Sequence, residues 1–299
     1  MNIVHIPRRF VRDAWGGTET VVLETARRQI LRGDSVGIAT SMALSRSAEE
    51  TIEGVPVRRY PYMYPYLGLS REDRDRMDRK GGNLVSFGLY RSLMAMRDPD
   101  IFHLHTGKRL GALVRTAARK RGIPYLVTLH GGLVRTPQSE KNDLAEPGKG
   151  SFEWGKLIGL AYGGRRVVSD ADGILCVDRF EADQLRAAMP RKRIEFMPNG
   201  VDPERFKARS GAGIAFRRAR GIPVEAPVVL VVGRIDPQKN QLLALDVLER
   251  LRADRPDIRL VLAGPATNEA YRSKLEAEIA RKGLTGAALL AGQLDVGCV

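Results

Sequence analysis

An apolar run at 228–232 ends in Gly233-Arg234-Ile235-Asp236-Pro237-Gln238-Lys239-Asn240, a glycine turn that delivers an arginine and a lysine together. Ligands of open α/β sheets lie beyond the carboxyl ends of the strands. There a guanidinium can grip two phosphate oxygens side by side, and an ammonium adds a mobile point charge. A helix predicted to begin near Asn240 would aim backbone N–H groups and a partial positive charge at the same anion. The chemistry this spacing suits is the holding of a diphosphate. On the residues alone, Arg234 and Lys239 read equally well as solvated charges on a strand-to-helix loop.

Two other constellations stand at predicted strand ends. Asp13-Ala14-Trp15-Gly16-Gly17-Thr18-Glu19 links the first strand to the first helix, and its paired glycines let a backbone approach a phosphate or sugar closely. Taken in isolation it is also a flexible turn with Thr18 or Glu19 capping a helix. Thr128-Leu129-His130-Gly131-Gly132 puts His130 at the carboxyl edge of the sheet, within reach of a sugar hydroxyl or a phosphate oxygen. A histidine satisfied by neighbouring backbone fits that spacing as well. His103 and His105 lie two apart, on one face of a strand, a spacing that metal sites also use. The other histidines are His5 and His130, and no carboxylate cluster accompanies any of them in sequence, so a non-metal reading is preferred.

The elements that must position these groups follow from periodicity. Short apolar β-rich runs at 3–6, 35–40, 55–60, 101–105, 125–129, 173–177 and 194–197 alternate with helical patterns such as 18–31 and 109–121. That alternation predicts a mostly parallel, doubly wound sheet. Gly33 and Gly122 stand where helix ends favour glycine. Residues 61–82 and 136–150 read as long loops, and the mixed charges of 71–80 as a solvated helix or loop. Pro198-Asn199-Gly200-Val201-Asp202 is a turn between domains. Beyond it come a helix at 213–220 and strands at 228–232, 258–263 and 287–291. With 299 residues and 43% hydrophobic composition, two modest cores are expected.

The net charge of +14, divided as +10 over 1–200 and +4 over the rest, asks for an anionic partner: nucleic acid, lipid headgroups or a nucleotide. No aromatic-rich basic motif or zinc-finger spacing accompanies the charge, so nucleic acid is not expected. Cys176 and Cys298 support neither a disulfide framework nor a cysteine metal site. No apolar run approaches the ~20 residues of a membrane span, and the chain opens with the strand Asn2-Ile3-Val4-His5-Ile6, so a cytoplasmic protein is expected.

The segment Gly233, Arg234, Ile235, Lys239, Asn240 resembles the G-R-hydrophobic-x-x-x-K-[GN] motif of the GT-B glycosyltransferases, in particular the large retaining group that uses nucleotide-diphospho-sugars. Gly16, Gly17 and Glu19 match that group's Gly-Gly-x-[EQ] loop, which there faces the interdomain cleft. Thr128, His130 and Gly131 match its [TV]-x-H-[GD] pattern, and Pro198 to Asp202 followed by Phe206 match its interdomain signature. The resemblance implies an α/β fold of two Rossmann-like domains, 1–200 on the acceptor side and 201–299 binding the nucleotide-sugar. It gives catalytic roles to His130, Arg234 and Lys239, donor contacts to Gly16 and Gly17, and an acceptor-side place to Glu19, His105 and Thr106.

The implied reaction transfers a sugar with retention, by same-face attack with the leaving phosphate as base, so that no cofactor, protein nucleophile or divalent metal is called for. The acceptor would be a glycan, a lipid-linked or a small molecule in polysaccharide or glycoconjugate biosynthesis, with peripheral contact at the inner membrane face compatible with the charge. One departure is plain. The sequence stops at Val299, before the glutamate pair spaced eight apart that holds ribose and sugar in the family, and Glu269, Glu276 and Glu278 do not give that spacing. A second domain that is incomplete and loosely ordered is therefore expected, with poor transfer. A nucleotide-diphosphate module without turnover and a basic adaptor for membrane surfaces or polyanions remain as readings from other classes.

Overall fold

The computed structural model describes residues 1–131, 150–207 and 211–294, so the loop expected over 136–150 lies outside the described residues but for its last position. The chain divides into two compact units, Met1–Gly200 and Val201–Val299. Among the described residues no helix is long and apolar enough to cross a membrane.

The strands of the first unit are β1 (Asn2–Ile6), β2 (Ser35–Ser41), β3 (Glu49–Ile52), β4 (Val55–Tyr60), β5 (Tyr66–Leu67), β6 (Ile101–Leu104), β7 (Tyr125–Leu129), β8 (Phe152–Glu153), β9 (Gly173–Cys176) and β10 (Ile194–Phe196). Eight of them form one sheet in the order β10-β9-β7-β6-β1-β2-β4-β3, parallel throughout except where β3 folds back on β4. The chain leaves β1 towards β2 and β4, then returns to build β6, β7, β9 and β10 on the other flank. The connections after β1 and β6 thus diverge, and a crevice opens between the carboxyl ends of those two strands, where α/β sheets take their ligands.

Alternation along β1 explains its burial on both faces. Ile3 packs with Val22, Leu23 and Ala26 of helix α1 (Gly17–Leu31), while Val4 and Ile6 join Phe102, Leu104 and Leu110 on the opposite face. Each layer is dry and fully buried at its centre, the pattern of a sheet covered on two sides.

Residues 61–82 are not one loop. Met63 bridges to Val85, β5 pairs with β8, and 71–80 forms helix α2 (Arg71–Lys80). Ser70 caps α2 by accepting from the Asp73 N–H, and Gly81 ends it at φ 111°. The helix is polar nearly all round, which hides it from a periodicity reading. Its anchor is Met77 with Asp78, whose carboxylate accepts from Tyr62 and Tyr64 at 2.5 and 2.9 Å. Helix α3 (Phe87–Ala95) follows, capped by Ser86, and α4 (Lys108–Arg121) comes after β6.

The second unit has a parallel sheet in the order β11 (Val228–Val232), β12 (Arg259–Ala263), β13 (Ala288–Gly292). Its helices span Ala212–Ala219, Gln241–Asp254 and Glu269–Arg281. Leu245, Leu248, Leu260, Leu262 and Leu275 are fully buried between helices and sheet, so this unit has a packed core of its own rather than the loose order expected from the sequence. β11 is an edge strand among the described residues and leaves Leu230 and Val232 exposed.

Candidate active site

The crevice beside β1 and β6 gathers the histidines. Register pairs His5 with His103 across β1 and β6, and His103 with Leu126 across β6 and β7. Counting in twos, His5, His103, His105, Thr128 and His130 all project to the face covered by α1. His105 lies one residue past β6, its N–H held by the Ile6 carbonyl, and His130 lies one past β7, before Gly131 turns the chain at φ 85°. His130 is half-buried and the other three are buried.

Their ring nitrogens make a continuous set of hydrogen bonds. His5 Nε2 meets Gln29 Oε1 at 2.7 Å, His5 Nδ1 meets His105 Nε2 at 2.9 Å, and His105 Nδ1 meets His130 Nε2 at 3.1 Å. His103 Nε2 turns aside to Thr128 Oγ1 at 2.7 Å. Burial is the leading cause that pushes all four imidazoles down, His5 and His130 to about 4, so each is neutral at pH 7.

Ligand nitrogens of His5, His103 and His105 lie within 4.8 Å of one another, the one group of metal-ligand type found among the described residues. The ring of His103, however, lies tilted over the other two, its centroid 4.2 Å from that of His105 and 4.8 Å from that of His5, with planes at 31° and 37°. Imidazole lone pairs lie in the ring plane, so a ring laid over the other two does not aim at an ion held between them. The nitrogens are moreover engaged with Gln29, Thr128 and each other. The set suits hydrogen bonding.

Gly16 caps α1 and Gly17 is its first residue, so the helix begins one residue before the expected Thr18. A Cβ at Gly17 would meet open space, which leaves the first-turn N–H groups approachable. Glu19 is buried and folds back, its Oε2 3.0 Å from where a Gly16 Cβ would stand and its Oε1 accepting from Arg9 at 3.3 Å. Glu19 therefore braces the loop and Arg9. Thr106 follows His105 half-buried, and its carbonyl lies against Gly111 of α4.

Three cations that the sequence reading did not single out also stand here. Arg8 donates to the carbonyls of Met77 and Asp78, Arg9 to that of Asp78, and Lys108 to that of Gly81. Burial chiefly, and then the charge of Arg8, pushes Lys108 down, the mark of cations crowded together. Such a group favours an anion.

In the second unit, the turn after β11 is fixed by its backbone. Gly233 N–H donates to Ala263 O, and Ile235 is buried with its N–H on Pro265 O. Asp236 accepts from Gln238 N–H and from the Thr267 hydroxyl. Buried Gln241, first in its helix, donates to the Arg234 carbonyl at 2.7 Å. The stem of Lys239 folds back over the turn, 3.7 Å from a Cβ placed at Gly233. Both side chains are exposed, and neither has an ion pair among the described residues. Asn240, in the left-handed region at φ 49°, separates the Pro237–Lys239 turn from the helix. Two cations and a helix start thus share one strand end.

Residues 15–205 match the model of Glycosyltransferase Family 4, and residues 214–297 match that of Glycosyl transferases group 1. The chain is 32% identical over 286 residues to a D-inositol 3-phosphate glycosyltransferase of Kribbella flavida, covering 89% of this chain and 62% of that one. It is 30% identical over 270 residues to the protein of that name from Stackebrandtia nassauensis, covering 85% and 56%. The chain spans less than two thirds of the length of these relatives.

Among solved structures it is similar to Alr3699/HepE of Anabaena in complex with UDP, with a TM-score of 0.64 at 16% identity over 98% of this chain and 70% of that one. It is likewise similar to the catalytic domain of starch synthase IV from Arabidopsis thaliana bound to ADP and acarbose, with a TM-score of 0.65 at 16% identity over 98% and 74%. At that identity the likeness is one of fold, and the fold is GT-B. With more than half of its length matched by one family model, the chain belongs to Glycosyltransferase Family 4.

Proposed function

We propose that the protein transfers a sugar from a nucleoside-diphospho-sugar to an acceptor hydroxyl with retention of configuration, and that it does so without a cofactor or divalent metal. The observation that carries this is that Arg234 and Lys239 both stand exposed just past the carboxyl end of β11, without an ion pair among the described residues. As the glycosidic bond breaks, negative charge grows on the diphosphate. Two fixed cations and the start of the Gln241–Asp254 helix oppose it, in the role a metal ion takes elsewhere.

His130 is assigned to a hydroxyl of the sugar, Gly16 and Gly17 to the donor through their open backbone, and Glu19, His105 and Thr106 to the acceptor side. Residues 1–200 are read as the acceptor domain and 201–299 as the nucleotide-sugar domain. The cations Arg8, Arg9 and Lys108 favour an acceptor that carries an anion, in keeping with relatives named for D-inositol 3-phosphate.

The test is calorimetry of the chain with nucleoside diphosphates and their sugars in the presence of EDTA, followed by NMR of the product's anomeric centre. Binding that survives EDTA, fails in Arg234→Ala and leads to a retained product supports the reading. Binding that requires manganese, or an inverted product, overturns it. His130→Ala should reduce transfer far more than it reduces affinity for the bare nucleotide, and equal losses would give His130 a structural role only.

A further inference from the structure

The hydrogen-bond chain from Gln29 to His130 has one end that sets its direction. Gln29 Oε1 carries lone pairs and no proton, so His5 Nε2 must donate to it. A neutral imidazole has a single N–H. His5 Nδ1 is therefore an acceptor, and His105 Nε2 donates to it. By the same count His105 Nδ1 accepts from His130 Nε2. Burial, which keeps all of these rings neutral, is the condition under which the count holds. The ring of His103, layered 4.2 Å from that of His105 and tied to Thr128, restrains His105 from turning over.

The one proton of His130 is thus directed inward, and its Nδ1 is left with a bare lone pair. No partner meets that atom among the described residues.

We propose that Gln29 is a positioning residue which, through His5 and His105, holds His130 as the Nε2–H tautomer, so that Nδ1 accepts a hydrogen bond from a sugar hydroxyl and rejects a phosphate oxygen. This rests on the assignment of His130 to the sugar made above, and it narrows that assignment. A hydroxyl can donate to Nδ1; an ionised phosphate oxygen has nothing to donate. The selectivity of the crevice would then be written on α1, three hydrogen-bonded rings away from the ligand.

Tautomers are read directly by long-range proton–nitrogen correlation NMR on the free, nitrogen-15-labelled chain, without any ligand. The expected result is Nε2–H at His5, His105 and His130. Gln29→Met, which keeps the length and removes the acceptor, should lower the ratio of Nε2–H to Nδ1–H at His130 about tenfold, the equivalent of ~1.4 kcal/mol or one hydrogen bond. Gln29→Glu, which restores an acceptor, should restore the ratio. A wild-type His130 carrying its proton on Nδ1 would mean that Gln29 presents its amino group and would overturn the proposal. So would an unchanged ratio in a folded Gln29→Met.

A second measurement separates this proposal from the function it rests on. UDP-glucose and UDP are titrated as probes into wild type and Gln29→Met. If the tautomers are as stated and neither probe binds, the positioning chain stands while the sugar-transfer reading loses support. If UDP-glucose binds wild type with His130 as the Nδ1–H tautomer, the transfer reading stands and the positioning chain falls.

Discussion

At the scale of single residues, the strand-end groups were legible because their chemistry is local in sequence. Arg234 and Lys239 lie on one short turn, and the structure keeps both exposed. Each change to Ala should weaken nucleoside-diphosphate binding by about 1.5–3 kcal/mol, the usual worth of a hydrogen bond to a charged group, with little change in melting temperature. Calorimetry beside a thermal melt checks both halves of that statement. Gly264 offers a contrasting case. A Cβ there would stand 2.0 Å from the Gly233 carbonyl oxygen, at a φ of 149° that other residues rarely adopt. Gly264→Ala should therefore lower the melting temperature and the affinity together, by pushing the Arg234 turn out of place. Full retention of both would show that the two turns are not in contact. The histidine chain was only half legible. His103 and His105 announce a shared face by their spacing, whereas His5 is a hundred residues from His105 and meets it only through strand pairing. Gln29 did carry a signal. It follows Val22 and Ala26 at seven and three residues, on the core-facing stripe of α1 where a polar side chain requires a partner.

At the scale of elements, the parallel strands were read to within about one residue because they are short apolar runs between turn residues, whereas the antiparallel β3, β5 and β8 were not read. Helices with a strong apolar stripe were likewise plain. Less plain are those whose stability comes from caps and from partners far along the chain. α2 is one, anchored by Asp78 beneath two tyrosines, and α3 is another. Ser86 is fully buried at the start of α3; its hydroxyl donates to the Pro61 carbonyl at 2.7 Å and accepts from the Leu89 N–H at 3.2 Å. Ser86→Ala should cost about 1–2 kcal/mol, since it removes a cap and strands a carbonyl. A denaturant titration of both proteins measures this, and a loss within error would mean that water replaces the hydroxyl. Ser86→Thr, which keeps the oxygen, should recover part of the loss.

At the scale of the whole molecule, four neutral histidines in one crevice tie stability to pH. Burial pushes His5 and His130 down to about 4 from the ordinary 6.5, and His103 and His105 move the same way. Between about 6.5 and 4 the unfolded chain takes up protons that the folded chain refuses, so stability rises with pH across that window. It should be complete above 6.5 and fall towards pH 4 by up to ~1.4 kcal/mol per pH unit for each histidine. Denaturant midpoints between pH 7.5 and 4.5 test this; a flat profile would mean that the rings take up protons in the folded chain as they do in the unfolded one. The open flank of β11 acts on a different property. Leu230 and Val232 flank a row of amide and carbonyl groups that no described strand covers, a template on which an extended segment of another molecule can settle. What keeps copies apart is the charge of +14, a long-range repulsion that dissolved ions weaken. Colloidal behaviour should then run opposite to that of a protein held together by ion pairs: dispersed in dilute buffer, and gathering into larger particles in light scattering as salt is raised.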